Sequence, residues 1–202
     1  MATELKQAGE GTQARTRSRT ELAILAATRE LLAEGGVHGL TVEGVAARSG
    51  VAKTTIYRRF RGKRELALAV LIDMVETVAA VPDLGDTRRE LIAFVEATIH
   101  VLGSTMMGRV MQGLVSDLAN DPQLAAEFRA RVVELRVAEV GRMVERGIER
   151  GDLRPDTDVG IAHELLFGPV YYRLLLGAAP LDTKLAPLLV DAVLAAFAPV
   201  ET

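Results

Sequence analysis

The 202-residue chain contains no cysteine, which excludes disulfides, thiolate metal sites and cysteine nucleophiles. Aromatic residues supply only 4% of it, while hydrophobic residues as a whole supply 49%. A core drawn from Ala, Leu and Val suits closely packed helices better than a sheet. No stretch approaches the roughly 18 uninterrupted apolar residues of a membrane span. Near the end, the run from Ala186 to Val190 is broken by Asp191. The opening MATELKQAGEGTQARTRSRT lacks the apolar segment of a signal peptide, so a cytoplasmic chain with no membrane partner is expected. Histidine is sparse too. His38, His100 and His163 lie far apart, and none forms a His-x-x-x-His pair. Glu164 is adjacent to His163 and would point elsewhere on a helix. Neither a Gly-rich phosphate loop nor Gly-x-Ser-x-Gly occurs. No metal, cofactor or enzymatic activity is expected.

What is present is unevenly charged. Residues 1–64 hold 12 Lys+Arg against 6 Asp+Glu, and the remainder holds 12 against 21, which together give the net charge of −3. A basic N-terminal third on an acidic remainder points to a polyanion meeting one end; uneven chance placement is the alternative.

Residues 1–17 show no periodicity and read as a disordered basic arm. Arg15, Arg17 and Arg19 either reach phosphates or a minor groove, or form a solvated tail. From there every periodic segment is helical and none is strand-like. Leu22, Ile24, Leu25, Leu31 and Leu32 predict a helix over 18–34, ended by Gly35 and Gly36. Thr41 caps a short helix over 42–48. Ser49-Gly50-Val51 forms a turn, a second short helix covers 52–60, and a longer one covers 63–80. Thr87 and Glu90 have the spacing of a capping box for a helix over 88–102. Asp121-Pro122 starts a long helix to 150. Helices over 157–176 and 183–198 complete the chain.

Two short helices around Ser49-Gly50-Val51 have the form of a helix-turn-helix. Gly50 permits the turn's backbone angle. Val45, Ala46 and Val51 face the second helix, and Ile56 and Phe60 anchor it from below. Lys53, Thr54, Thr55, Tyr57, Arg58 and Arg59 remain for its exposed face and ends, where such side chains contact phosphates and base edges. Across residues 24–71 the chain resembles the TetR family of transcriptional regulators. The resemblance is carried by Glu34-Gly35-Gly36, Thr41, Val45-Ala46, Ser49-Gly50-Val51, Tyr57-Arg58-Arg59-Phe60, Lys63 and Glu65. It departs at Ala52, where a capping Ser is usual, at Thr54, where Gly is common, and at Arg59, where His is common. These departures bear on operator preference more than on fold.

The resemblance implies an all-α chain. Residues 18–62 would form a three-helix helix-turn-helix domain. Residues 63–202 would form a helical bundle that binds ligand and dimerises. It implies a regulator, a repressor or an activator, on a palindromic double-stranded DNA operator, with Thr41, Lys53, Thr54, Thr55, Tyr57, Arg58, Arg59 and Lys63 at the DNA. A ligand-binding protein without DNA binding is the competing reading, and the intact span from Thr41 to Lys63 argues against it. In the middle of the chain, Phe94, His100, Met107, Met111, Gln112, Val115, Phe128 and Tyr172 are candidates to line a pocket for a small, largely apolar effector. Methionine-rich linings adapt to variable ligands, although such a stripe is also ordinary core. Phe167, Val170, Tyr171, Leu174, Leu189, Val193 and Phe197 are candidates for a homodimer interface across a four-helix bundle, or they complete the subunit core. The segments LANDPQLAAEFRARV and GDLRPDTD resemble a common C-terminal class of the family.

Overall fold

A computed structural model describes residues 18–76 and 81–199, and these residues are all helix and connection, with no strand among them. The expected arm over 1–17 and the end of the expected helix over 63–80 lie outside the described residues. Helix α1 spans Arg19–Gly39, with Ser18 accepting a capping hydrogen bond from the Glu21 amide. Gly36 kinks α1, at φ 60° and ψ −164°, instead of ending it, and a last turn to Gly39 buries Val37. Helices α2 (Val42–Ser49) and α3 (Lys53–Arg59) follow, and α4 (Lys63–Glu76) packs against α1. Ile24, Leu32, Leu40, Val45, Ile56 and Leu66 are fully buried and tie these four helices together.

The remaining helices are α5 (Thr87–Ser104), α6 (Met106–Asn120), α7 (Pro122–Phe128), α8 (Glu134–Arg150), α9 (Val159–Leu176) and α10 (Leu185–Ala196). Thr105 accepts from the Met107 amide where α6 sets off at 80° to α5. Asp121 caps α7 through the Gln123 and Leu124 amides, with Pro122 in the first turn. A π turn over Arg129–Val133 joins α7 to α8 without a break. Helix α5 is central, packed against α6, α8, α9 and α10.

The expected capping box is not formed. Asp86 caps α5 by accepting from the Arg89 amide at 2.8 Å. Thr87 and Glu90 turn inward and are buried. Glu90 accepts from the Leu84 amide at 2.9 Å, from Arg146 at 2.6 Å and from Arg150 at 2.9 Å. Two guanidiniums arriving from α8 require an interior anion, and that demand outweighs a local cap worth about 1 kcal/mol. Burial works to raise the Glu90 carboxyl. The hydrogen bonds from Arg146, Leu84 and Arg150 overcome it and hold the group below its ordinary value.

Candidate nucleic-acid interface and interior cavity

Gly50 closes α2 at φ 69° and ψ 9°, its amide bonded to the Ala46 carbonyl, and this left-handed residue sets the angle between α2 and α3. Ser49 Oγ accepts from the Val51 amide within the same turn. Thr41 caps α2 through the Gly44 amide at 3.0 Å, and its hydroxyl hydrogen stays available to an outside acceptor. Ala52 makes no side-chain cap on α3, as its substitution for serine requires. Ile56 is buried beneath α3 and Phe60 packs half-buried at its end. Lys53, Thr54, Tyr57, Arg58 and Arg59 are exposed, and Thr55 is half-buried.

Charge pairing separates these side chains. Lys53 Nζ lies 3.1 Å from Glu43 on α2, which lowers the Glu43 pKa chiefly through that hydrogen bond. Arg59 lies 3.5 Å from Glu21 on α1. Arg48 is bound to Glu34 at 2.7 Å, and Arg61 to Glu65 and Gln123. Arg58 and Lys63 have no ion-pair partner among the described residues, and Tyr57 stands 52% exposed beside them. An exposed tyrosine and two cations without ion-pair partners among the described residues, at α3 and the start of α4, are side chains suited to phosphates.

Between α4, α5, α6, α8 and α9 lies a partly open cavity of about 60 Å³. Its wall takes Leu71 and Val75 from α4, Phe94, Thr98 and Val101 from α5, and Met107 and Met111 from α6. Val132 of the π turn, Arg136 of α8 and Tyr171 of α9 line it too, with Val81, Ala97 and Leu102. Of the residues considered for a pocket, Phe94, Met107 and Met111 meet at this wall, and the others lie elsewhere. His100 is exposed on the outer side of α5, Val115 is 38% exposed, and Phe128 is half-buried against the core. Gln112 donates to the Leu174 carbonyl at 2.7 Å, in a separate cleft of about 400 Å³ beside the α5–α6 corner. Tyr172 is 57% exposed, because one residue's rotation carries it to the face opposite Tyr171.

The polar side of the wall was not singled out from sequence. Arg136 stacks 4.1 Å over the Phe94 ring and donates to Thr98 Oγ1, which donates in turn to the Phe94 carbonyl at 2.9 Å. Phe94 meets Phe167 edge-on at 5.6 Å, and His163 lies 4.9 Å from Phe167. Burial, then the charge of Arg136, pushes His163 down to about 4. Burial pushes Tyr171 up, against the pull of the same guanidinium. One signal was available: Arg136 occupies a slot in the apolar stripe Val132, Val140, Val144 of the α8 rod.

Of the residues considered for a dimer interface, four are buried within their own subunit. Phe167, Val170, Val193 and Phe197 are at most 5% exposed, and Tyr171, Leu174 and Leu189 are half-buried. The outward face of α9 and α10 instead presents Ile161, Leu165, Tyr172, Leu176 and Leu188, each at least 44% exposed. On α9 these repeat every four or seven residues, along one helical stripe.

A helix-turn-helix with an unpaired basic edge, mounted on a helical body with an internal apolar cavity, defines a DNA-binding transcriptional regulator. Residues 24–70 match the model of bacterial regulatory proteins of the tetR family, and residues 81–193 match that of the tetracyclin repressor-like C-terminal domain. The chain belongs to the TetR family, and as such it is a transcription factor and not an enzyme. It is 31% identical over 157 residues to the uncharacterised HTH-type transcriptional regulator YdeS of Bacillus subtilis, covering 78% of this chain and 79% of that one. It is 29% identical over 173 residues to a DNA-binding transcriptional repressor TetR of Mycobacteroides abscessus, covering 85% and 90%. The crystal structure of the TetR family regulator SCO0332 superposes with a TM-score of 0.78 at 36% identity, covering 90% of this chain and 100% of that one.

Proposed function

We propose that this chain is a ligand-responsive repressor acting in the cytoplasm, binding a palindromic operator as a homodimer and releasing it when an effector fills the interior cavity. Residues 18–62 serve as the reading head and 63–202 as the effector and dimer domain. Thr41, Lys53, Thr54, Thr55, Tyr57, Arg58 and Lys63 face the DNA, with Arg59 held toward α1. The outward stripe of α9 with Leu188 of α10 pairs two subunits, which sets two heads about one helical turn of DNA apart. The observation that carries this reading is α4. Its first residue, Lys63, comes after α3 across the short link Phe60-Arg61-Gly62, and its Leu71 and Val75 form part of the cavity wall.

A space of about 60 Å³ is far below the roughly 300–1,000 Å³ of an occupied ligand site, so an effector must push the wall outward. Met107 and Met111 yield by rotation, whereas Leu71 and Val75 move with α4. A differential affinity of about 3 kcal/mol between the two states corresponds to roughly 150-fold weaker operator binding. The test is binding to DNA flanking the protein's own gene across a salt series, for the native chain and a Lys53→Ala, Arg58→Ala double variant. Nanomolar binding to one palindromic site, lost in the variant, supports the reading. Weak and equal binding by both, with a genome-wide fragment selection also empty, overturns it.

A further inference from the structure

The cavity wall is apolar except at one corner, where Arg136, Thr98 and Tyr171 meet. Guanidinium groups carry five N–H donors in a planar fork. Here the acceptor available to that fork is Thr98 Oγ1, and no carboxylate pairs with Arg136 among the described residues. Glu139, one turn along α8, forms its ion pair with Arg142 and reaches Arg136 only through its charge. A cation in such surroundings is costly unless something completes its hydrogen bonds. An aliphatic residue in this slot of the α8 stripe would pack at no such cost. The guanidinium is also held in place, with Phe94 beneath it and Phe167 edge-on against Phe94. Fixed planar forks of this kind match a carboxylate in bidentate fashion, which a lysine cannot do. Nearby, Tyr171 keeps its proton as a further donor, and His163 stays neutral at neutral pH and adds no competing charge.

We infer that the effector is an apolar monocarboxylate, its carboxylate seated on Arg136 and its hydrophobic body displacing Met107 and Met111. This rests on the reading of the cavity as the effector site. The carboxylate supplies the missing acceptors for the fork, and the unbranched methionines make room for a body larger than the cavity of about 60 Å³ admits.

The test titrates the full-length protein with decanoate and 4-phenylbutyrate, and with the neutral primary amides of both, by calorimetry and by operator release. Binding of at least one carboxylate, about 10-fold or more tighter than its amide, is expected. Arg136→Gln removes that preference and leaves amide binding within a few-fold. Arg136→Lys, which keeps the charge and loses the fork, falls between them and guards against a Gln variant that fails to fold. In the native chain, the His163 imidazole resonances titrate at higher pH with carboxylate bound, and do not shift with amide. Equal binding of acid and amide, no binding of either carboxylate, or a preference that survives Arg136→Gln overturns the inference. Carboxylate preference without any change in operator affinity sustains the anion site and instead refutes the effector reading.

Discussion

Gly113 on α6 lies so close to Val37 on α1 that a Cβ there would sit 2.7 Å from Val37 Cγ2. No side chain fits in that gap, so the two helices meet backbone to side chain at this point. Val37 belongs to the turn of α1 beyond the Gly36 kink, and Gly113 follows the cavity residue Met111 by two positions. Gly113→Ala must therefore part α1 from α6. The expected loss is about 1–3 kcal/mol, offset in part by the better helix propensity of alanine. Urea unfolding checks it, and adding Val37→Ala should recover part of the loss. Additive losses would show that the contact is not tight.

The exposed edge of α3 predicts a division of labour. Arg58→Ala should cost about 1–3 kcal/mol at the operator and relax sequence preference, as expected of a base-edge contact. Lys63→Ala should weaken binding alike for all sequences and reduce the salt slope by about 1. Arg59→Ala should change operator affinity little, since Arg59 is turned to Glu21. Binding to operator and scrambled DNA at several salt concentrations separates the three.

The reading head was legible because its signals are local. Thr41, Gly50, Ile56 and Phe60 act on neighbours within a turn or two, and spacing alone places them. The body was not legible to that depth. The sequence places Tyr171 at a dimer face and Tyr172 in a pocket, whereas in the structure Tyr171 lines the cavity and Tyr172 is 57% exposed. Apolarity on both sides of α9 leaves the helix without a clear amphipathic direction, so the sequence does not choose between adjacent residues. Glu90 eludes the sequence for a different reason: a capping spacing is a local pattern, and its arginine partners lie 56 and 60 residues away.

Glu90 holds Arg146 and Arg150 together inside the body. Glu90→Gln keeps the shape and removes the charge, leaving Arg146 without a carboxylate partner among the described residues and Arg150 with Asp83 alone. A loss of about 3 kcal/mol is expected, measured as a lower unfolding midpoint. Arg88→Ala breaks the exposed pair with Asp191 and should leave the unfolding midpoint nearly unchanged. Equal effects would show that Glu90 is hydrated.

His163 predicts how stability changes with acidity. Its folded form resists protonation down to about pH 4, whereas the unfolded side chain takes a proton near its ordinary 6.5. Between those values the unfolded state binds more protons, so this group's contribution is complete above about 6.5 and declines as pH falls toward 4. Urea midpoints should therefore drop from pH 7.5 to pH 5.0 in the native chain and drop less in His163→Gln. Parallel profiles would count against burial of the ring.

The outward stripe of α9 and α10 predicts where subunits part. Leu165→Glu with Leu188→Glu should yield a monomer in sedimentation velocity without lowering the unfolding midpoint of the isolated subunit appreciably, since both side chains are exposed. Val193→Ala, at 1% exposure, should instead destabilise the subunit and leave assembly unchanged. A dimer that persists in the double glutamate variant would place the interface elsewhere.

The π turn at Arg129–Val133 gives one rod two phases. Before it, α7 addresses α4 and α6; after it, α8 addresses α5 and α9. A regular helix would advance each residue by about 100° throughout and keep a single phase. The widened turn holds one residue more than the count requires, a form common at functional sites in helices. The rod therefore stays continuous while its two ends keep different company, and the extra residue works as a spacer in angle, not in length. Losing it would turn α8 by about 100° relative to α7, so the placing of Arg136 at the cavity wall depends on an irregularity of the backbone as much as on the identity of the side chain.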